Sequence, residues 1–440
     1  MNILKLLNLS GSRNSSAHHR DEHAGSRKLF MLENTVSSST YNLTSGAFLV
    51  GYAAYIGAND QFNGIIAGVP ALAGVVQILS PLAFERKIRR KPLIVAITLI
   101  YKLILGMMLF IPLLVQEKQA RLALLFSMYL AAFLLSSFVT PAANNWLISL
   151  VPGSIRGKFF GRRDSYTLAF VTIVNLLMGR VLDCFKLEGK TYTGFVVLFC
   201  VVILFTAGDF ILLLRIKEPA LVENNVPLDL ISLVTVPFKD RTFRKVIILF
   251  ILWNIGQQVG GTFFGVYLVA GLKLKYSYIM LLSTISNVMS VLTVRLWGKT
   301  ADRKSWIFTT KFSIGILALT EGAWFFVNGG NAFLLVPLLH VMGGIAWAGI
   351  NISLFNIQFQ FSPAEGRTVY LGFNAALGGI IGFMATLAGS FIVNSLEGKG
   401  FRLLGFETSN IQVVFGLSGA ILLLCCIFVH GAFSKELSQK

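Results

Sequence analysis

The chain has 440 residues, of which 55% are hydrophobic and only 13% are charged, and its net charge is +18. Because soluble globular proteins carry about 25% charged residues, this composition excludes an ordinary soluble domain and requires an apolar solvent, the lipid bilayer. The positive charges lie in short bursts between long apolar runs, which is typical of loops at a membrane surface and argues against a nucleic-acid partner.

Apolar runs long enough to cross the bilayer recur along the chain. A spanning helix needs about 20 mostly apolar residues, and its backbone groups must be paired within the helix. Residues 1–34 lack such a run and are predicted to be a cytoplasmic tail, not a cleavable signal. We predict twelve spans, at residues 35–57, 62–84, 93–115, 121–150, 165–186, 192–215, 245–271, 276–298, 306–327, 331–360, 368–394 and 409–433.

One polar connection is longer than the others. Residues 216–244 contain Pro219, Pro227 and Pro237 and are charged at both ends. They predict a cytoplasmic linker, with a short surface helix at 228–236, between two six-helix units at 35–215 and 245–433. Residues 434–440 are predicted to be a second cytoplasmic tail.

The distribution of lysine and arginine predicts the orientation. With the N-terminus inside, 28 of the 38 Lys and Arg residues fall on the cytoplasmic side and 8 fall outside, while Lys102 and Arg180 lie within spans. Because cytoplasmic loops are enriched in these residues, both termini are predicted to be cytoplasmic. We expect a multi-pass protein of the bacterial inner membrane.

The two halves of the chain repeat a pattern at matched positions. An acid followed by two bases comes after span 2, as Glu85-Arg86-Lys87, and after span 8, as Asp302-Arg303-Lys304. Such matches predict a duplicated six-helix unit. Four residues around the end of span 4 also recur around the end of span 10, each displaced by 211 positions: Asn145, Pro152, Arg156 and Gly161 match Asn356, Pro363, Arg367 and Gly372.

These motifs carry a family resemblance. The stretch from Gly298 to Lys304 resembles the G-x-x-x-D-R signature of the major facilitator superfamily, and its first-half copy is degenerate, with Pro81 and Glu85 in place of Gly and Asp. The stretch that begins at Pro152 resembles the P-x-x-x-R-G loop of many members. The resemblance implies an all-α integral membrane protein whose twelve helices form two pseudo-symmetric six-helix bundles.

The resemblance also implies that the motif loops act as conformational latches on the cytoplasmic face. A carboxylate at a helix end can accept hydrogen bonds from the amides at a neighbouring helix N-terminus, and arginines can bridge carboxylates or carbonyls. The alternative is plain anchoring by positive charge at the cytoplasmic surface. The residues of this candidate gating motif are Glu85, Arg86, Arg156, Gly298, Asp302, Arg303 and Arg367.

In the family, the first and fourth helices of each half line a central cavity, which here are spans 1, 4, 7 and 10. Polar residues at helical spacing in these spans are candidates for that lining, although Ser, Thr, Asn and Gly also pack membrane helices together. With Arg180 of span 5, the substrate-cavity candidates are Tyr41, Ser45, Asn144, Arg180, Asn254, Gln257, His340, Trp347 and Asn351.

Ionisable residues within spans are few, and each is a functional candidate because charge is costly in the bilayer. Asp183 lies one helical turn after Arg180, so the two could pair, or Arg180 could bind an anionic group. Lys102 and Asp209 fall in peripheral spans, where we expect them to snorkel or pair. The proton-coupling candidates are Asp183, Glu321 and His340.

The predicted function is alternating-access transport of a small organic solute, with protons as a candidate coupling ion. The alternative on the same scaffold is a non-transporting receptor or a lipid flippase or scramblase. A membrane enzyme is disfavoured because His340 is the one mid-span histidine, too few for a histidine-rich metal site. We therefore expect no catalytic residue, metal or cofactor, and a monomer whose partners are its solute and the lipid bilayer.

Overall fold

The computed structural model describes residues 23–84, 89–152, 156–218, 230–363, 367–398, 401–403 and 406–434. Apart from one short helix between the halves, the described helices form twelve consecutive segments. The first half has segment 1, Ala24–Leu43 and Gly46–Tyr55; segment 2, Asp60–Ala73, Gly74–Leu79 and Ser80–Phe84; segment 3, Lys91–Met107, Met108–Phe110 and Ile111–Leu114; segment 4, Lys118–Ser149; segment 5, Arg156–Leu187; and segment 6, Thr191–Arg215. The second half has segment 7, Phe243–Gly261, Phe264–Val266 and Tyr267–Gly271; segment 8, Tyr276–Arg303; segment 9, Trp306–Trp324; segment 10, Ala332–Phe361; segment 11, Arg367–Ser395; and segment 12, Asn410–Ala432.

Ten of these segments are long and apolar enough to cross a membrane, so the chain is a multi-pass integral membrane protein. Segments 1 and 9 fall outside that set. Segment 9 carries Lys311 and Glu321 within 19 residues. Segment 1 is polar in its first half and is interrupted at Thr44 and Ser45, after which Gly46 begins the second helix with a φ of 55°.

Segment 1 begins at Ala24, whereas the sequence predicted a tail up to residue 34. Its polar side chains turn inward, because Ser26, Arg27 and Glu33 are each less than a tenth exposed. Their helical spacing therefore forms a polar face that is buried in the protein. Hydropathy alone predicts that such polar residues are exposed to water.

Two short elements lie between or beside the segments. A helix at Leu230–Lys239 falls close to the predicted surface helix at 228–236. Strands Phe401–Leu403 and Phe406–Thr408 pair antiparallel between segments 11 and 12, an element that the all-helical prediction did not include.

We name the face at which the odd-numbered segments begin the basic face, and the other the opposite face. On the basic face, the Arg27 guanidinium donates to the carbonyl of Leu150 at 3.2 Å, and the Glu218 carboxylate accepts from the amides of Arg90 and Lys91 at 2.6 and 2.9 Å. These bonds tie the ends of segments 1, 4, 3 and 6 together within the first half.

The hydrophobic core is continuous near the opposite face and divides towards the basic face. One cluster joins residues of both halves, from Phe48 and Tyr52 to Phe263, Tyr276 and Phe415. Towards the basic face each half has its own cluster, around Trp146 in the first half and around Phe243 in the second. The two halves therefore share one apolar seam near the opposite face, while their cores are separate towards the basic face.

Segments 8 and 10 pack backbone against backbone at Gly344. A Cβ built on Gly344 would lie 2.2 Å from the carbonyl oxygen of Ser286, whereas one built on Gly343 meets nothing within 4 Å. We expect Gly344→Ala to lower the free energy of unfolding by about 1–3 kcal/mol through overpacking. Gly343→Ala should leave it unchanged or raise it by up to about 1 kcal/mol, because alanine is the better helix former.

Thermal unfolding of the two purified variants in one detergent would measure this difference. Equal melting temperatures for Gly343→Ala and Gly344→Ala would show that segments 8 and 10 do not approach this closely.

Candidate functional site

The seam at the opposite face is closed by a carboxylate that crosses from one half to the other. Asp183, near the end of segment 5, accepts hydrogen bonds from the backbone amides of Tyr276 and Ser277 at 2.8 and 2.9 Å. It also accepts from the Ser277 hydroxyl at 2.6 Å. The first amides of a helix have no partner within it and carry a partial positive charge, so Asp183 caps segment 8 from the other half.

Close helix packing surrounds this cap. A Cβ on Gly179 would lie 3.0 Å from the amide nitrogen of Ser277, so segments 5 and 8 touch along their backbones. The ring of Tyr276 stacks on Phe48 with centroids 6.3 Å apart, and Gly51 leaves room for the Tyr276 hydroxyl. Both halves thus contribute to a closely packed closure at the opposite face.

A cavity of about 450 Å³ lies between the halves on the basic-face side of this closure. Its walls come from segments 2, 7, 10 and 11, and its lining residues are all uncharged: Pro70, Ala71, Gly74, Phe250, Trp253, Asn254, Phe355, Gln358, Leu371, Asn374, Ala375, Gly378 and Gly379. The volume falls within the range of about 300–1,000 Å³ that small-ligand sites occupy.

Three carboxamides supply the polar groups of this cavity. Asn374 is 1% exposed, and its amide nitrogen donates to the Gln358 side-chain oxygen at 2.9 Å, while its own oxygen has no hydrogen-bond partner among the described residues. The Asn254 amide nitrogen donates to the carbonyl of Phe250 at 2.7 Å. An unpaired buried oxygen is costly, so the Asn374 oxygen is suited to accept a hydrogen bond from a bound solute.

The sequence matches the model of the Major Facilitator Superfamily over residues 31–386, which is more than half of the chain. The chain belongs to the major facilitator superfamily. Among curated proteins, no significant sequence match is found. The protein is therefore a transporter by family, while its substrate is not given by the match.

Solved structures of major facilitator proteins share the fold. The nucleoside transporter NupG is 14% identical, with a TM-score of 0.67 over 94% of this chain and 100% of that chain. A D-xylose–proton symporter is 15% identical, with a TM-score of 0.66 over 92% of this chain and 96% of that chain.

A bacterial homologue of the iron transporter ferroportin is matched in two states. The inward-facing structure is 15% identical, with a TM-score of 0.69 over 94% of this chain and 99% of that chain. The outward-facing structure is 16% identical, with a TM-score of 0.60 over 93% of this chain and 99% of that chain. The arrangement of the helices is thus more similar to the inward-facing structure.

Some of the residues predicted to line the cavity of this major facilitator chain lie at the cavity, and others lie elsewhere. Asn254 lines it directly, and Trp347 packs edge-on against the lining residue Trp253, with centroids 5.6 Å apart. Gln257 lies one turn further along segment 7 and is half-buried. Asn144 and Asn351 are exposed, as is Arg180.

Two predicted residues of segment 1 lie in the first half. Tyr41 lines a separate cavity of about 280 Å³ between segments 1, 3 and 4. Ser45 donates to the carbonyl of Tyr41 at 2.7 Å and lies directly before the second helix of the segment. Gln358 and Asn374 were not predicted. Asn374 lies on segment 11, outside the spans that the resemblance selects, and Gln358 lies near the end of segment 10, beyond the candidates chosen from that span.

The three proton-coupling candidates occupy different surroundings. Asp183 is held by segment 8, and no ion pair joins it to Arg180 in the described chain. Glu321 is buried in the second half, and its carboxyl lies 3.4 Å from the Ser418 hydroxyl. His340 is bonded through Nδ1 to the carbonyl of Val336 at 2.8 Å and packs against Trp324.

The motif residues that the structure describes lie at the basic face. Gly298, Asp302 and Arg303 belong to the last turns of segment 8, which runs past the predicted end at residue 298 because its charged tip continues as helix beyond the apolar run. Asp302 and Arg303 are exposed. Helices begin at Arg156 and Arg367, the matched positions of the repeat. Glu85 and Arg86 lie outside the described residues.

Lys102 and Asp209 form a buried ion pair across segments 3 and 6, so they pair with each other and do not snorkel. The Lys102 ammonium lies 2.8 Å from the Asp209 carboxylate, and both side chains are at most 2% exposed. The ammonium also donates to the Ser37 hydroxyl at 2.8 Å. Glu33 of segment 1 completes this group, although hydropathy predicts a tail at this position.

Proposed function

We propose that the protein is a secondary transporter that moves a small, uncharged, polar solute by alternating access of its two halves. The observation that carries the proposal is the cavity of about 450 Å³ between the halves, whose polar groups are carboxamides and whose lining residues carry no charge. Amides offer both donors and acceptors, so they match hydroxyl and amide groups of a neutral solute such as a sugar or a nucleoside.

The division of the core supports the alternating-access part of the proposal. The halves are joined at the opposite face by the Asp183 cap and the shared apolar cluster, and each has a separate core towards the basic face. We further propose that the basic face and both termini are cytoplasmic, in a bacterial inner membrane, because lysine and arginine concentrate there. The structure then corresponds to the inward-facing state.

A thermal-shift screen of the purified chain tests the solute class. A ligand that binds only the folded state stabilises it, by about 2.7 kcal/mol at 100 times its Kd. We expect neutral sugars, polyols or nucleosides to raise the melting temperature, and organic anions and cations to leave it unchanged. Stabilisation by ionic solutes alone would contradict the proposal.

Asn374→Leu links such a ligand to the cavity. We expect this variant to weaken binding at least about tenfold, because it removes the unpaired acceptor and the partner of Gln358. Asn394→Leu is the matched control, since Asn394 lies exposed near the other end of the same helix. Equal affinities of the two variants, measured by the ligand dependence of the melting temperature, would place the site elsewhere.

A further inference from the structure

Two carboxyl groups and one ammonium meet inside the first half, away from the cavity between the halves. Lys102 binds Asp209 at 2.8 Å and the Ser37 hydroxyl at 2.8 Å. Glu33, itself 9% exposed, faces Asp209 closely enough for the two carboxyl groups to share a hydrogen bond. The cluster therefore joins segments 1, 3 and 6.

The charges of this cluster do not balance when both acids are ionised. Three charged groups face Glu33 from the surrounding segments: Asp209, Lys102 and Arg163. The phenol of Tyr101 lies beside the same group. Arg163 is partly exposed and already pairs with an acid on its own helix. Among the residues that the structure describes, Lys102 is therefore the one buried cation for the two carboxylates. A surplus negative charge at this depth is strongly unfavourable.

One bound proton would balance the charge of the cluster and would allow the two carboxyl groups to form a hydrogen bond. Two carboxylates can share a hydrogen bond only if one of them is protonated, since ionised carboxylates are acceptors alone. We propose that Glu33 and Asp209 together hold one exchangeable proton beside Lys102, as a proton-binding site of the first half. Its use in coupling rests on the proposed transport function, whereas proton binding itself does not.

The site has a polar cavity at its side through which a proton could be exchanged. Lys102 and Ser37 line the cavity of about 280 Å³ between segments 1, 3 and 4, together with Tyr41, Asn42 and Thr140. A water molecule occupies about 30 Å³ in the liquid, so the cavity is large enough for several waters with hydroxyl and amide partners. Protons can move along such hydrogen-bonded water.

Infrared difference spectroscopy of the full chain in lipid nanodiscs, titrated from alkaline to acidic buffer, tests the site. The wild-type protein should show the C=O stretching band of a buried protonated carboxyl group. This band should persist at pH values at which exposed carboxyl groups are ionised. Glu33→Gln and Asp209→Asn should each remove the part of this band that Glu321→Gln leaves in place, because either change leaves one carboxylate balanced by Lys102. Glu117→Gln, at an exposed position, should leave it unchanged.

The outcomes separate this proposal from its alternatives. A band that survives in both Glu33→Gln and Asp209→Asn but disappears in Glu321→Gln would assign the proton to the second half and overturn the proposal. Absence of any such band in wild type would overturn it as well. If the band behaves as expected while no solute stabilises the protein, the proton site stands and the proposed function falls.

Discussion

Lys102→Met is expected to lower the free energy of unfolding by about 3–5 kcal/mol, because it leaves the buried Asp209 carboxylate without its cation. Both side chains of the pair are at most 2% exposed, so bulk solvent does not compensate for the lost cation. The second change Asp209→Leu, made in the Lys102→Met background, should restore much of the loss, since no uncompensated charge then remains in the pair. Unfolding in detergent, followed by tryptophan fluorescence, would measure these differences.

The chain offers a matched surface pair as the control. Lys190 and Glu188 lie 3.2 Å apart, but their side chains are 65% and 60% exposed. Exposed pairs contribute about 0–1 kcal/mol, so Lys190→Met should have little effect. Equal losses for Lys102→Met and Lys190→Met would show that the inner pair is not buried in the folded protein.

Asp183→Asn is expected to open the seam at the opposite face. The substitution removes the charge that caps segment 8 and one acceptor oxygen, which together should cost the closed state about 2 kcal/mol. That loss corresponds to about a 30-fold rise in the population of the open state. A cysteine that replaces Ala47, which is buried at the seam, would report this opening. Its rate of reaction with a membrane-impermeant maleimide should rise.

Glu188→Gln serves as the control for this experiment, because Glu188 lies just beyond the end of the same helix and is exposed. The measurement requires a background in which Cys184, Cys200, Cys425 and Cys426 are replaced. A labelling rate that Asp183→Asn leaves at the wild-type value would show that the cap does not hold the halves together.

Hydropathy was sufficient to find the helices that present apolar side chains to lipid, because that contact is a local property of the sequence. It missed the first eleven residues of segment 1, where Arg27, Lys28 and Glu33 mark a tail if each residue is judged alone. Lys102 and Asp209, the groups that lie beside Glu33, are far away in sequence. The spacing of Ser26, Phe30, Glu33, Ser37 and Thr40 on one helical face was the available signal.

The candidate site was predicted only in part, because its contacts also join segments that are distant in sequence. Asn254 was found as an amide in a span that the family resemblance selected. The pairing of Asn374 with Gln358 depends on how segments 10 and 11 meet, and the role of Asp183 depends on a helix that begins 93 residues later. Hydrogen bonds between segments are not local, so a single sequence does not specify them.

The central claim is that the two halves rock and that the closure between them alternates between the two faces. Distances between spin labels at the two ends of segments 5 and 8 test this claim most directly. One pair of nitroxides would replace Arg162 and Lys299 at the basic face, and the other would replace Glu188 and Lys275 at the opposite face, all exposed positions. We predict that Asp183→Asn shortens the first distance and lengthens the second. A single distance population at each pair, unchanged by Asp183→Asn, would contradict the account.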